Sequence, residues 1–323
     1  MVKAIALFSG GLDSILAAEL VRRQNIEVLC LTFTTPFFNA QKAQGAIQQI
    51  NLHLCIQDIT AEHLEMLKSP RYGYGKNMNP CIDCHTLMLK IAGKKMEETG
   101  SDFILTGEVL GQRPMSQNKQ SLYVVAKNSG YQDYILRPLS AKLLDPIKAE
   151  RESRIDRSRL LSIQGRGRKD QIKLAADFGI RDYAPPAGGC LLTDPIFSLR
   201  LRDLFTHHED RHYRDFELLK FGRHFRLNES CKIIVGRNNA DNEAIKKLVT
   251  DDDLIFKMKN FPGPLVIVPY GNENAAQNAA SLCVRYSDAP DDTEEDVIYQ
   301  YQNSSKTIRA KAASKEDCQQ WII

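Results

Sequence analysis

The chain has 323 residues and a mass of 36.5 kDa, which predicts a globular protein of two or three domains. Hydrophobic residues make up 43% of the chain, but no apolar run reaches the roughly 18 residues of a membrane-spanning helix. This excludes an integral membrane protein, and we expect a cytoplasmic one. The formal net charge of +3 permits an RNA partner without requiring one.

Apolar runs alternate with helix-like stretches along the first part of the chain. The predicted elements, in chain order, are a strand at 3–8, a helix at 13–23, a strand at 27–33, a helix at 41–50, a strand at 52–59, a helix at 84–99 and a strand at 102–108. Strands that alternate with helices predict an α/β fold with a doubly wound parallel sheet. In such a sheet, ligands bind beyond the carboxyl ends of the strands.

The pattern changes after "ILRPLS" (135–140) and again near residue 230. The charged, histidine-containing segment between these points is interpreted as a linker or substrate region that carries Cys190. Four strand-like runs follow and predict a small α+β module: "CKIIVGR", "DLIFKMK", "PLVIVPY" and "DVIYQYQ". The predicted domains are therefore 1–140, 141–227 and 228–323.

The stretch "SGGLDS" (9–14) joins the first predicted strand to the first predicted helix. Glycines at this point let the backbone approach a phosphate, and the amides of the following helix then point at the anion. The stretch lacks the lysine of a Walker A loop and the G-x-G-x-x-G spacing of a dinucleotide-binding turn. It resembles the pyrophosphate loop of the PP-loop ATP pyrophosphatases, which bind the β- and γ-phosphates of ATP and adenylate a carbonyl oxygen.

This resemblance implies an ATP site in which Asp13 acts through Mg²⁺. "LTGEVLGQRPMSQ" (105–117) occupies the place of the superfamily's later nucleotide motif, and the second strand ends near the adenine. The residues that the resemblance assigns to ATP are Ser9, Gly10, Gly11, Asp13, Ser14, Phe33, Thr34, Thr106, Gly107 and Arg113. "RPLS" (137–140) resembles a segment common in tRNA-thiolating members, which makes Arg137 a candidate RNA contact, with an ordinary surface arginine as the alternative.

Three of the eight cysteines have an unusual sequence context. Two residues separate Cys81 from Cys84 in "NPCIDCH", and the pair stands just before a helix whose N-terminus favours thiolates. Cys190 stands in "PPAGGCLL", where prolines and glycines hold the chain open. A four-cysteine zinc site would require a second C-x₂-C pair, which the sequence lacks. Three cysteines suit a [4Fe–4S] cluster with one open iron or a persulfide relay, and unrelated thiols are the third alternative.

A C-x₂-C pair followed by a distant single cysteine resembles the tRNA thiouridine synthetases of this superfamily, over roughly residues 1–200. The resemblance implies that ATP adenylates a uridine carbonyl oxygen and that sulfur then replaces it. The implied catalytic residues are Asp13, Cys81, Cys84 and Cys190, and the three cysteines are also the implied ligands of the favoured [4Fe–4S] cluster. The implied partners are tRNA and a sulfur donor, either sulfide or a cysteine desulfurase, and a homodimer is considered.

Two other functions remain open at this stage. The first is a PP-loop ligase or amidotransferase that acts on a small molecule, and the second is a non-enzymatic RNA-binding protein with a relic ATP site. An intact "SGGLDS" favours an enzyme over the second alternative.

The C-terminal module contains "VGRNNADNEAI" (235–245) and "DDLIFKMKNFPGPLVIVP" (252–269), and is similar to the RNA-binding domain of the NFACT family. The resemblance implies RNA contacts by Arg237, Asn238, Asn239 and Lys257. "GRGRKDQ" (165–171) supplies a second candidate RNA surface with Arg166, Arg168 and Lys169, because RNA loops bind cationic groups. The acidic stretch 288–296 would repel a phosphate backbone, so the whole module surface is not expected to contact RNA.

Overall fold

A computed structural model describes residues 1–185, 189–208, 212–290, 292–302 and 304–323. Residues 186–188 of the Pro/Gly stretch before Cys190, and one residue of the acidic stretch, lie outside these ranges. The chain divides into two compact units, Met1–Thr193 and Asp194–Ile323. The predicted linker region is therefore shared between the two units, because its first part packs into the first hydrophobic core and its last part belongs to the second unit.

The first unit contains a five-stranded sheet in the order β3-β2-β1-β4-β5, and every neighbouring pair is parallel. Its strands are β1 Lys3–Leu7, β2 Glu27–Thr34, β3 His53–Asp58, β4 Phe103–Thr106 and β5 Ile135–Leu136. The sheet confirms the predicted doubly wound parallel fold. Buried strands such as β4 are continuously apolar because helices cover both faces of the sheet.

The described residues of the first unit form seven α-helices: α1 Leu12–Arg22, α2 Gln41–Ile50, α3 Thr60–Lys68, α4 Cys81–Thr99, α5 Lys119–Ser129, α6 Lys148–Arg151 and α7 Lys169–Phe178. Two hydrophobic layers form on the sheet. One holds the buried faces of α1, α2 and α7, and the other holds those of α4 and α5. Gly100 ends α4 in the left-handed conformation, as the sequence predicts.

The strand order creates a switch point between β1 and β4. After β1 the chain builds β2 and β3 on one side, and it then returns to build β4 and β5 on the other. Leu7 at the end of β1 pairs with Thr106 at the end of β4. Loops that leave such adjacent strands in opposite directions open a crevice, which is where doubly wound folds bind ligands.

The second unit contains a six-stranded sheet in the order β11-β10-β8-β9-β7-β6, with antiparallel neighbours throughout. Its strands are β6 Arg223–Asn228, β7 Cys231–Val235, β8 Leu254–Met258, β9 Val266–Val268, β10 Glu295–Tyr301 and β11 Ser304–Ala310. Its helices are α8 Pro195–His207, α9 Tyr213–Leu218, α10 Asn239–Lys246, α11 Ala276–Arg285 and α12 Lys315–Trp321. This arrangement confirms the predicted small α+β module. Across the described ranges of both units, no helix combines the length and apolarity needed to cross a membrane.

Candidate functional site

The β1–α1 turn forms the floor of the switch-point crevice. Gly10 has φ +73°, and a Cβ at this position would lie 2.3 Å from the backbone of Lys42 in α2. Glycine is therefore required here by the packing of α2 as well as by the left-handed backbone. Gly11 stands at the N-cap of α1 and has no side chain to cap the helix, so the amides of the first turn are left for a ligand.

Two serines complete this turn. The Ser14 hydroxyl donates to the Gly11 carbonyl at 2.8 Å, and Ser9 Oγ lies 3.3 Å from Ser14 Oγ. Ser9 Oγ also accepts a long hydrogen bond of 3.4 Å from the Gly11 amide. The hydroxyls and amides that the sequence assigned to pyrophosphate are thus gathered at one helix N-terminus.

Asp13 is the acidic residue of this turn. Gln112 Nε2 donates to Asp13 Oδ2 at 3.0 Å, while Oδ1 is buried and accepts no hydrogen bond from the described residues. Burial raises the pKa of Asp13, and Gln112, Arg168, Gln171 and Arg113 act in the opposite direction. An unsatisfied buried carboxylate oxygen is costly, and it is the kind of ligand that Mg²⁺ prefers. The site therefore fits the predicted magnesium ion at Asp13.

The end of β4 forms one wall of the crevice. A Cβ on Gly107 would lie 2.5 Å from the Ser14 nitrogen, so Gly107 lets β4 approach the first turn of α1. The buried Thr106 hydroxyl donates to Glu108 Oε2 at 3.1 Å. On β2, Phe33 packs into the apolar layer and the Thr34 hydroxyl donates to Asp58 at 3.2 Å. The Thr106 and Thr34 hydroxyls therefore each have one partner within the protein.

The two clustered cysteines lie in the first turn of α4. Asn79 Nδ2 lies 3.3 Å from Cys81 Sγ, and Cys84 Sγ lies 3.5 Å from His63 Nε2. His63 is fully buried between the rings of Phe37 and Phe38, and burial lowers its pKa to about 4. The imidazole is therefore neutral at physiological pH.

Cys190 is brought to the same region by hydrogen bonds on both sides of it. Ala184 forms a parallel bridge with Gly11, and the Leu191 amide donates to the Phe37 carbonyl at 3.0 Å. Asn77, just before the clustered cysteines, donates through Nδ2 to the Thr193 carbonyl at 2.7 Å. Ala184 thus lies at the phosphate-binding turn, and Thr193 lies at the loop that precedes α4.

The three thiols influence one another. Burial raises the pKa of Cys84 well above its usual value, and Cys190 and Cys81 raise it further. Burial also raises the pKa of Cys190 to about 11, with Cys81 adding to the increase, while the Leu192 amide and Arg113 oppose it. The structure therefore gathers thiols that are more than 100 residues apart in sequence, and at neutral pH Cys84 and Cys190 are protonated.

Within the described ranges, no three His, Cys, Asp or Glu side chains converge closely enough to hold a metal ion. The three cysteines match a [4Fe–4S] cluster in donor type, and in such a cluster each thiolate would bind a different iron.

Arg113 connects the two halves of the site. Its side chain is exposed in the loop after β4, and its charge lowers the pKa of both Asp13 and Cys190. The charge of one guanidinium thus acts on both the phosphate-binding turn and the distant cysteine.

A buried ion pair, which the sequence did not reveal, supports this crevice. Glu108 Oε1 lies 2.9 Å from His85 Nδ1, and Glu108 Oε2 accepts a 2.9 Å hydrogen bond from Arg137 Nε. Arg137 also donates to the Leu122 carbonyl at 3.2 Å and is only 7% exposed. The structure therefore corrects the expectation for Arg137, because a buried and fully engaged guanidinium is not placed to contact RNA.

The other predicted RNA contacts have different environments. Arg166 and Lys169 are exposed, whereas Arg168 is half-buried and acts on Asp13. In the second unit, all four predicted RNA contacts are exposed, namely Arg237, Asn238, Asn239 and Lys257. Arg237 bonds Asp241 at 2.6 Å, and the Asn238 side chain accepts from the Asp241 amide at 2.9 Å, so both also order the start of α10.

Comparison with known families agrees with both resemblances. The family model described as thiamine biosynthesis protein (ThiI) matches residues 1–148, and the model described as NFACT protein RNA binding domain matches residues 222–322. The second match begins at the turn before β6, earlier than the predicted domain boundary at residue 228. Both resemblances drawn from the sequence are thereby confirmed.

Individual relatives match less than half of this chain. A "Probable tRNA sulfurtransferase" of Thermoanaerobacter sp. (strain X514) is 32% identical over 149 residues, and one of Thermococcus kodakarensis is 30% identical over 145 residues. Each match covers 42% of this chain and 36% of the relative, so the chain spans about a third of the length of these relatives. The crystal structure of a 4-thiouridine synthetase–RNA complex with bound ATP is similar at a TM-score of 0.42 and 20% identity, over 60% of this chain and 46% of that one.

Proposed function

We propose that the protein is an ATP-dependent tRNA sulfurtransferase that converts a uridine of tRNA to a thiouridine. The observation that carries the proposal is the pair of ties around Cys190: Ala184 bridges Gly11 of the phosphate-binding turn, and the Leu191 amide donates to the Phe37 carbonyl. These ties support a phosphate-binding turn and the Cys190 thiol in one crevice, which is what activation by ATP followed by sulfur attack at the same carbon requires. The names of the sequence relatives support the same substrate class.

The first step of the proposed reaction is adenylation. A uracil carbonyl oxygen attacks the α-phosphorus of ATP, the bond between the α-phosphorus and the bridging oxygen breaks, and pyrophosphate leaves. The amides of the first turn of α1 and the hydroxyls of Ser9 and Ser14 stabilise the charge on the pyrophosphate. Asp13 Oδ1 would hold Mg²⁺, which neutralises phosphate charge when bound.

The second step replaces the activated oxygen by sulfur. A persulfide on one cysteine attacks the adenylated carbon through its outer sulfur, and AMP leaves with the oxygen. A second thiol then attacks the inner sulfur, so that a protein disulfide forms and thiouridine is released. A dithiol reductant restores the two thiols. Cys190 is our candidate for the persulfide and the α4 pair for the resolving thiol, because each of the three thiols lies within electrostatic reach of another.

A [4Fe–4S] cluster bound by Cys81, Cys84 and Cys190 is the second candidate for the sulfur carrier. Three thiols in one crevice favour it, since each would hold a different iron of the cluster, and we route no step through it. Anaerobic purification followed by iron analysis and absorption spectroscopy distinguishes the two carriers. The relay predicts full activity at less than one iron per ten chains, whereas the cluster predicts activity in proportion to four irons per chain.

The second unit is proposed to bind tRNA and so to raise its local concentration at the first unit. The match to an RNA-binding domain model over residues 222–322 supports this role. Arg237, Asn238, Asn239 and Lys257 are exposed on this unit and are its proposed phosphate contacts. A tRNA substrate also implies a cytoplasmic site of action.

Reconstitution of the full chain with Mg·ATP, unmodified tRNA, a persulfide donor and dithiothreitol tests the proposed function. Nucleoside mass spectrometry should detect a thiouridine, and AMP and pyrophosphate should form only when tRNA is present. Asp13→Ala and Cys190→Ala should each lower the yield at least 100-fold, whereas Cys318→Ala in the second unit should not change it. Pyrophosphate release without tRNA would indicate the small-molecule ligase instead.

A further inference from the structure

Gln171, in the first turn of α7, is an uncompensated polar group in the interior of the first unit. Its side chain is 0% exposed, yet neither Nε2 nor Oε1 completes a hydrogen bond with the described residues. Its amide lies close enough to the Asp13 carboxylate to lower the pKa of Asp13, and Asp13 Oδ1 is also buried without a well-formed bond. The amide and this oxygen thus lie together in the interior without well-formed hydrogen bonds, which is costly unless a ligand with both acceptor and donor groups completes them.

Contacts between residues that are far apart in the sequence fix the position of α7, which carries Gln171. The Gly165 amide donates to the Leu110 carbonyl at 2.7 Å, which ties the segment before α7 to the loop after β4. Ala175 packs into the same core as α1, and Arg23 stacks over the Phe178 ring at 4.1 Å. These contacts hold α7 against α1.

Arg168 stands at the N-cap of α7, one turn from Gln171. It is half-buried and its charge lowers the pKa of Asp13, whereas its neighbours Arg166 and Lys169 are exposed. The "GRGRKDQ" segment therefore has two faces. One is directed to solvent, and the other supplies a cation and an amide to the phosphate-binding turn.

We propose that Arg168 and Gln171 bind the triphosphate of Mg·ATP together with Asp13, and that these two residues do not contact RNA. Gln171 Nε2 donates to a phosphate oxygen, and Oε1 accepts from a water of the hydrated magnesium ion. Arg168 neutralises phosphate charge together with Arg113. This inference rests on the proposed function, because it extends the nucleotide site of that reaction to a helix that the sequence assigned to RNA.

Calorimetric titration of the full chain with the Mg²⁺ complex of α,β-methylene-ATP tests the inference. Arg168→Ala and Gln171→Leu should each weaken binding at least tenfold, whereas Arg166→Ala and Lys169→Ala should leave it within twofold. Gln171→Leu keeps the buried volume and removes the unsatisfied amide, so its melting temperature without nucleotide should equal or exceed that of the parent. A purely structural role for Gln171 would instead lower the melting temperature and leave affinity in the folded protein unchanged.

Two further measurements separate this inference from the proposed function. The tRNA affinity of Arg168→Ala, measured without nucleotide, should equal that of the parent, and a loss of tRNA binding with unchanged nucleotide binding would overturn the inference. Asp13→Ala is the reference for the nucleotide site. If the parent chain fails to bind the analogue, the proposed function fails. If Asp13→Ala weakens binding while Arg168→Ala and Gln171→Leu do not, only the inference fails.

Discussion

Arg137 Nε donates a 2.9 Å hydrogen bond to Glu108 Oε2, and both side chains are almost completely buried. Burial alone would raise the pKa of Glu108, but the Arg137 charge and the bond to His85 lower it to about 2. This ion pair joins β4, β5 and α4, the elements that carry the nucleotide wall and the clustered cysteines. Its integrity therefore determines the geometry of the crevice.

Glu108→Gln should destabilise the first unit by about 3 kcal/mol at pH 7, because it leaves the Arg137 charge buried without a partner. The folded-state pKa of Glu108 lies below its ordinary value of 4.5, so its stabilisation is complete above that pH. It is lost as the pH falls from 4.5 toward 2. Urea unfolding at pH 7, 4 and 3 should show that the difference in unfolding free energy between the parent and the variant becomes smaller as the pH falls.

Glu65→Gln is the control for this prediction. Glu65 pairs with Lys68 at 2.8 Å on the exposed face of α3, so its loss should cost less than about 0.5 kcal/mol. A pH-independent difference between the parent and Glu108→Gln would contradict the assigned role of the ion pair.

Gly10→Ala should prevent the β1–α1 turn from packing on α2. The new Cβ would lie 2.3 Å from the Lys42 backbone, and φ is +73°. We expect a loss of at least about 3 kcal/mol in unfolding free energy, because the Lys42 backbone or the turn itself must move to admit the new Cβ. Gly73→Ala has the same sign of φ but nothing within 4 Å, and should cost only about 1 kcal/mol. Equal losses would show that the close approach to α2 has no energetic importance.

Cys190 should react slowly with iodoacetamide at neutral pH, since burial raises its pKa to about 11. The thiolate fraction at pH 8 is then about 0.001, and the alkylation rate should rise about tenfold for each pH unit up to pH 10. Peptide mass spectrometry measures the rate for each cysteine. Arg113→Ala should slow the reaction further, because it removes a cation that stabilises the thiolate. A rate that levels off below pH 9 would contradict the proposed environment of this thiol.

Lys257→Ala should weaken tRNA binding and lower the slope of log K against log salt by about 1, as expected for loss of one phosphate contact. Lys257 is exposed on β8. The control is Lys259→Ala, because Lys259 is paired with Asp296 at 3.0 Å in the acidic stretch. Filter binding at salt concentrations between about 50 and 200 mM measures the slope for both variants. Identical slopes for the two variants would exclude Lys257 as a contact.

Local sequence was sufficient to predict the parts of the fold that depend on neighbouring residues. The turn at Ser9–Ser14 and the alternating strands and helices were predicted because glycine conformations and apolar periodicity act over a few residues. The start of α4 was predicted three residues late. Pro80 stands at its N-cap, and Asp83 accepts from the Arg71 and Tyr72 amides, so the helix begins at Cys81. Polar strands such as β11 carry little apolar signal and were not predicted.

The approach of Cys190 to α4 could be stated from the sequence only as a resemblance. It depends on the bridge of Ala184 to Gly11 and on the hydrogen bond of Leu191 to Phe37, which join residues far apart in the chain. Arg168 was assigned to RNA for the same reason, because its charge was visible in the sequence but its effect on the pKa of Asp13 was not.

The most direct measurement of the central claim, that one crevice both adenylates tRNA and delivers sulfur, uses Cys190→Ser with ATP labelled at the α-phosphorus. In a single turnover with unmodified tRNA, we predict that the label becomes bound to the tRNA of this variant and that no thiouridine forms. The parent chain should form thiouridine and release labelled AMP. Thiouridine formation by Cys190→Ser at the parental rate, or an active parent that never cleaves ATP at the α-phosphorus, would contradict the account.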